Sequence, residues 1–238
     1  MAREHRHIEN ATIITDYSSI ASEAIQKLQT NIDFSGVDKK IKCIGITSSI
    51  QSEGKSTLIV NMANIYAFRG AKVCLVNLDL RRPTIHHFYN IKNTIGITEY
   101  VQGDAEVDDI IVHTDKKVDI ICSGTVTPYP TKILASQRMD ALFEELRKRY
   151  DYVLVDTTPV LLVTDAMICS RFVDGYIFVC AQHYSKKKNI KAAVKALRDN
   201  NIEIIGLVMT AVTDFDRGTG TYDSYKYYYK SHEQEPLH

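Results

Sequence analysis

Residues 41–68 read IKCIGITSSIQSEGKSTLIVNMANIYAF, and their order decides the fold. Ile41–Thr47 is a short apolar run of the length a buried strand needs, while Lys55–Phe68 is long enough for a helix and closes on Arg69-Gly70. Between them stands Gly54-Lys55-Ser56-Thr57, preceded by Ser52 and Glu53. A helix start offers free N–H groups and a positive dipole end to an anion. Gly54 lets the backbone approach phosphate oxygens, Lys55 brings a mobile charge to the β- and γ-phosphates, and Ser56 a hydroxyl for Mg²⁺. The stretch from Ser48 to Thr57 therefore reads as a loop for ATP and magnesium. The usual G-x-x-x-x-G-K-[ST] pattern has glycine where this chain has Ser49.

Outward from this unit, strands are predicted at Val73–Leu78, Val118–Cys122, Tyr152–Val155, Gly175–Ala181 and Ile204–Thr210. Helices are predicted around Ile97–Val101, Val107–Ile111, Thr131–Tyr150, Ala166–Phe172 and Lys187–Asn200. Upstream, residues 18–32 place Ile20, Ala24, Leu28 and Ile32 on one helical face, with Ser18 or Ser19 as N-cap. Strands that alternate with helices and are continuously apolar imply an α/β fold, with a mostly parallel central sheet and helices on both faces. The domain is expected over residues 17–213. A flexible lead-in at 1–16 and a flexible tyrosine-rich tail at 214–238 flank it.

Two strand ends carry acids: Asp79 in VCLVNLDLRRP (73–83) and Asp156 in YVLVDTTP (152–159). Ligands of a parallel sheet sit beyond its C-terminal strand ends, so both carboxylates should converge on the loop and orient Mg²⁺. Arg81 and Arg82 read equally well as solvated charges or as contacts to a phosphate or an acidic partner.

The chain has 238 residues, 45% hydrophobic and 24% charged, which suits a single globular α/β domain. Lys+Arg and Asp+Glu both total 29, leaving no basic footprint for nucleic acid. Cys43, Cys74, Cys122, Cys169 and Cys180 are scattered, mostly in apolar runs, and read as reduced core residues of a cytoplasmic protein. No run approaches the ~20 apolar residues of a membrane span. The basic Lys186–Lys188 run reads as a solvated helix start, with a membrane-surface contact as the other reading.

These motifs resemble the bacterial tyrosine kinases, the P-loop kinases of capsule and exopolysaccharide synthesis, from about Ile8 to Tyr229. TSSIQSEGKST (47–57) resembles the family's Walker A motif, LVNLDLRRP (75–83) its second acidic motif, and VLVDTTP (153–159) its Walker B motif. GTVTPYPTKILAS (124–136) resembles its Pro-x-Pro stretch, and YDSYKYYYK (222–230) its tyrosine cluster. The resemblance implies that Lys55, residue 77, Asp79 and Asp156 carry catalysis. Ser52, Glu53, Gly54, Lys55, Ser56, Thr57 and Arg81 would hold the nucleotide, and Ser56, Asp79 and Asp156 the Mg²⁺. It further implies transfer of the γ-phosphate to Tyr222, Tyr225, Tyr227, Tyr228 and Tyr229 of a neighbouring copy. A membrane partner would activate the chain through its cytoplasmic segment and draw it to the inner membrane face, and a cognate tyrosine phosphatase would oppose it.

Four positions depart from the family pattern. Asn77 stands where the family has the first Asp of D-x-D, and an amide is neither a carboxylate base nor a strong ligand for a hard cation. In the N-terminal helix Glu23 is followed by Gln26 and Gln29, where two arginines serve ring-shaped self-assembly. Thr210 replaces an Asn near the adenine, and Ser52 a common Gly. Two other functions stay open. One is a catalytically weak, ATP-binding regulator of the same machinery. The other is a partitioning-type ATPase, which usually has an extra Lys where this chain has Ile50 and lacks the tyrosine tail.

Overall fold

The computed structural model describes residues 13–35 and 40–212. Strands form at Cys43–Ser48 (β1), Val73–Asn77 (β2), Ile111–His113 (β3), Val118–Ile121 (β4), Tyr152–Asp156 (β5), Gly175–Ala181 (β6) and Ile204–Thr210 (β7). They join in one sheet, in the order β3-β4-β2-β5-β1-β6-β7. Every pairing is parallel except β3 with β4.

The continuous apolar character of β1, β2, β5 and β6 is explained by burial on both faces. Alternate side chains leave a strand on opposite sides. Ile44, Ile46, Leu75, Leu154 and Val179 face one core, built against Ile59, Met62 and Tyr66 of helix Lys55–Phe68. Cys43, Cys74, Val76, Val153 and Val155 face the other, against Met139, Leu142, Phe143 and Leu146 of helix Gln137–Arg149. The helix Lys55–Phe68 is apolar nearly all round because the sheet lies under it and helix Ile20–Ser35 packs over it. All five cysteines are buried and unpaired, so their thiols act as small apolar side chains.

Several sequence expectations shift. Val107–Ile111 is not a helix: residues 107–109 form a turn, and Ile111 and Val112 pair antiparallel with Ile121 and Ile120. The helix expected over 131–150 is two, Pro130–Leu134 and Gln137–Arg149, because Ser136 caps the second by accepting a bond from Arg138 N at 3.2 Å. A short helix not expected, Ile85–Phe88, follows β2, the helix expected over 97–101 spans Ile97–Gln102, and that expected over 166–172 forms as Asp165–Cys169 continued by a 3-10 turn at Ser170–Phe172. The first helix is capped by Ser19, which accepts from Ser22 N at 3.3 Å, but its buried stripe is Ser22, Ile25, Gln29 and Ile32 rather than Ile20, Ala24, Leu28 and Ile32. Gln29 is turned inward, accepting from Arg69 Nη1 at 2.9 Å. Of the lead-in, Ile13 and Ile14 pack on the core, and Ile14 N donates to Asn61 Oδ1 at 2.6 Å. Residues 1–12 of the lead-in and the tyrosine tail lie outside the described residues. Among those described, no helix is long and apolar enough to cross a membrane.

The parallel order brings the C-terminal ends of β1, β2, β5, β6 and β7 to one edge. Register sets Asp156 beside Ile46 on one side and beside Asn77 on the other.

Candidate functional site

The loop between β1 and helix Lys55–Phe68 turns on two left-handed residues, Ser52 at φ 63° and Gly54 at φ 90°. Such backbone suits glycine, which accounts for the strain that a serine at residue 52 introduces. A Cβ on Gly54 would also come within 2.9 Å of Thr210 Oγ1, so residue 54 has no room for a side chain. Gly54→Ala is therefore expected to lower stability by about 1–3 kcal/mol. It should also weaken nucleotide binding more than tenfold, read by thermal melting and titration calorimetry.

Buried side chains hold this backbone. Glu53 is fully buried, and its carboxylate accepts from Ser49 Oγ at 2.7 Å, from Ile50 N at 2.8 Å and from Ser185 Oγ. Its side chain thus points into the loop, where it holds the Ile50 N–H and two hydroxyls. Thr210 Oγ1 donates to the Glu53 carbonyl at 2.7 Å, tying the loop to the end of β7. Ser49, in the first glycine position, is buried and used in the same clamp. Thr57 stands in the first turn of the helix, where its carbonyl accepts from Asn61 Nδ2 at 2.8 Å.

The reactive groups converge at the helix start. Ser56 Oγ donates to Asp156 Oδ2 at 3.1 Å and accepts from Thr84 Oγ1 at 3.0 Å. Burial pushes the Asp156 carboxyl up to about 7; Asp79 adds to the rise, while the Lys55 ammonium and the Ser56 hydroxyl oppose it. Asp156 Oδ1, Asn77 Nδ2 and Thr158 Oγ1 are buried with no hydrogen-bond partner among the described residues. A buried carboxylate oxygen without a partner is costly unless a donor or a cation meets it. Oxygen donors of Ser56 and Asp156, with Asp79 nearby in charge, are the hard ligands that Mg²⁺ takes. This set of residues fits that ion. The Asn77 amide nitrogen does not, since it carries protons and no lone pair.

Asp79 and Asn77 shape the neighbouring turn. Asp79 N donates to Asn77 Oδ1 at 3.1 Å, and Asp79 Oδ1 accepts from Arg81 N at 3.2 Å and Arg82 N at 2.9 Å. Arg81, read from the sequence as a solvated charge or a contact to a phosphate or an acidic partner, has an acidic partner within the chain. Its guanidinium forks onto Asp165 at 2.7 and 3.1 Å, and Asp165 is 0% exposed. That ion pair ties the acidic turn to helix Asp165–Cys169. Arg82 leans on the phosphate loop through Gln51 Oε1 at 3.2 Å.

Four participants were not singled out for these contacts by sequence reading: Thr84, Asp165, Ser185 and the Thr210 hydroxyl. An acid between the apolar Val163 and Ala166 was a usable signal for Asp165. The other three are hydroxyls whose partners lie far along the chain. The tyrosine cluster Tyr222, Tyr225, Tyr227, Tyr228 and Tyr229 lies outside the described residues.

The chain and its fold have known relatives. A family model described as an AAA domain matches residues 41–204. The tyrosine-protein kinase YwqD of Bacillus subtilis is 34% identical over 208 residues, covering 87% of this chain and 88% of that protein. The crystal structure of the chimerical protein CapA2B2 superposes with a TM-score of 0.80 at 29% identity, over 84% of this chain and 88% of that one. The kinase domain of the Escherichia coli tyrosine kinase ETK gives 0.76 at 29% identity, over 82% of this chain and 79% of that one.

Proposed function

The chain belongs to the bacterial tyrosine-protein kinases, built on an AAA domain, and from that premise we propose that it transfers the γ-phosphate of ATP to tyrosine hydroxyls. Its own tail in a neighbouring copy, Tyr222 and Tyr225 to Tyr229, is the first substrate. The observation that carries this reading is the junction of Lys55, Ser56 and the buried Asp156 at the end of the sheet.

Phosphoryl transfer asks a protein mainly for position and charge. The loop N–H groups, fixed by Glu53 and Thr210, cradle the β- and γ-phosphates. Lys55 neutralises charge that builds on the leaving ADP oxygen. Mg²⁺, when bound, neutralises the phosphates from the side of Ser56, Asp79 and Asp156. As the tyrosine oxygen bonds to phosphorus and the bond to the bridging oxygen breaks, the hydroxyl proton must leave. Asn77 cannot take it, so this chain is a slow kinase on its own. In the cell, the cytoplasmic segment of a membrane partner recruits and activates it, a tyrosine phosphatase reverses it, and the output is control of capsular or exopolysaccharide synthesis.

The test is phosphotyrosine formation on the purified chain with ATP and Mg²⁺, alongside a chain with the five tail tyrosines replaced by phenylalanine. Labelling that persists unchanged in the phenylalanine chain would refute the tail as substrate. No labelling even with the partner's segment present would favour the ATP-binding regulator, a reading that Asn77 supports.

The raised Asp156 carboxyl gives a pH test. Its protonated form is favoured in the folded chain, so this contribution to stability is fully present below about pH 4 and is lost as pH rises through about 7. Metal binding needs the ionised form. Mg·ADP affinity is therefore expected to fall about tenfold between pH 8 and pH 6, as one proton is taken up. Asp156→Asn should flatten that slope. A slope equal in both proteins, measured by calorimetry, would show that Asp156 does not meet the metal.

A further inference from the structure

Helix Lys187–Asp199, the last of the described helices, covers the β6–β7 end of the sheet by seating Ala193 and Leu197 with Phe178. Its outer surface is unusual in charge. With 3.6 residues per turn, Lys187, Lys188, Lys191, Lys195 and Arg198 fall within an arc of roughly 100°, away from Ala193 and Leu197. All five are exposed, and Lys186 precedes them, exposed as well. The chain carries 29 basic and 29 acidic residues, so such a face is a segregation of charge and not a reflection of composition.

Several basic residues elsewhere are paired, as helix Gln137–Arg149 shows. On helix Gln137–Arg149, Arg147 meets Asp174 at 3.0 Å, Lys148 meets Glu145 at 3.8 Å, and Arg149 meets Glu145 at 2.9 Å and also Asp108. On helix Lys187–Asp199, the single ion pair among the described residues is Lys195 with Asp199 at 2.5 Å. Lys187 and Lys188 also stand in the first turn, which has no acidic residue, where the helix dipole is positive and repels them. Among the described residues no ion pair of Lys187 or Lys188 compensates this.

We propose that this face docks on the anionic phospholipids of a bilayer surface. Four of the five cations are lysines, flexible point charges that follow mobile headgroups. A discrete phosphate site would instead favour the planar fork of arginine. The five span about 16 Å along one helix, a line that can lie flat on a charged plane. Each cation near such a surface strengthens partitioning roughly fivefold, and the attraction fades within a Debye length, so it is sensitive to salt. Ser185, just ahead of the helix, bonds both Ala181 N at 2.7 Å and Glu53 of the phosphate loop. Docking therefore holds the nucleotide site at a fixed attitude to the membrane. The surface is a property of the chain itself and does not depend on the kinase reading or on a recruiting partner.

The test is sedimentation of the whole chain with vesicles of phosphatidylcholine alone, and with about a quarter phosphatidylserine, at low and high salt. The expected result is binding to the phosphatidylserine vesicles only, lost at high salt. Combining Lys187→Glu, Lys191→Glu and Lys195→Glu should weaken it on the order of 100-fold, with nucleotide affinity and melting unchanged. Combining Lys92→Glu, Lys116→Glu and Lys148→Glu, on other surfaces, makes the same change in net charge and should leave binding within a few-fold. The proposal is overturned if neutral vesicles bind equally, if the helix variant binds like the parent, or if both charge variants lose binding alike. It is also overturned if vesicles do not bind while a tyrosine-phosphorylated tail peptide does, through the same lysines.

Discussion

Lys55→Met is expected to weaken Mg·ADP binding on the order of 100-fold while the chain stays folded. Lys55 is buried at the helix start, and its ammonium is the cation that opposes the rise in the Asp156 carboxyl. Methionine keeps the unbranched apolar stem and removes only the charge, so packing at the helix start changes little. A hydrogen bond from a charged donor is worth about 1.5–3 kcal/mol, and a phosphate left facing a thioether loses both the bond and the charge. There is a second consequence. Without Lys55, the buried Asp156 loses its main favourable field and holds its proton to higher pH. Metal binding then suffers twice over, so Lys55→Met should depress Mg·ADP binding more than metal-free ADP binding. Calorimetry with and without Mg²⁺ measures both. Undiminished affinity would mean that the phosphates do not sit at this loop.

What could be read from the chain, and what could not, follows from how far apart interacting residues lie. The strand–loop–helix unit at 41–68 is local, and every group in Gly54-Lys55-Ser56 acts through backbone within a few residues. The sheet was legible because parallel strands buried on both faces are continuously apolar, as in Val153–Val155. Strand β3 was not. At the edge of the sheet Ile111 and Val112 are half covered and His113 is exposed, so the segment carries no strand pattern until Ile120 and Ile121 pair with it. The stripe on the first helix was misjudged because Gln29, a polar residue, is buried on Arg69 of a helix 40 positions away. At the site, the clamp on Glu53 from Ser49 and from Ser185, the latter 132 positions along the chain, is not legible locally. For Arg81 the sequence leaves a phosphate and an acidic partner equally open, and the fold supplies the acid, Asp165, 84 positions along.

Asn77→Asp is expected to raise tail tyrosine phosphorylation by about 10²–10⁴-fold, the range for a positioned general base. Asn77 is fully buried beside Asp156 in the β2–β5 register, and its amide nitrogen has no partner there. A carboxylate at 77 replaces that orphaned donor with an oxygen that can take the tyrosine proton and face a hard cation. Its cost appears when no metal is bound. Two adjacent buried carboxyls cannot both ionise cheaply, so one must hold its proton. The variant should therefore melt lower than the parent in EDTA at pH 8 and gain more from added Mg²⁺. That pair of signs separates a carboxylate that meets the metal from one that merely repacks the pocket, which would shift both melts alike. Phosphotyrosine formation would be followed for parent and variant, each with and without the partner's cytoplasmic segment. If the parent alone labels its tail as fast as the variant, the base is not at residue 77 and the tyrosine hydroxyl loses its proton elsewhere. If the variant is faster but insensitive to Mg²⁺ in its melt, the carboxylate acts on the hydroxyl alone and Asp79 and Asp156 suffice for the ion.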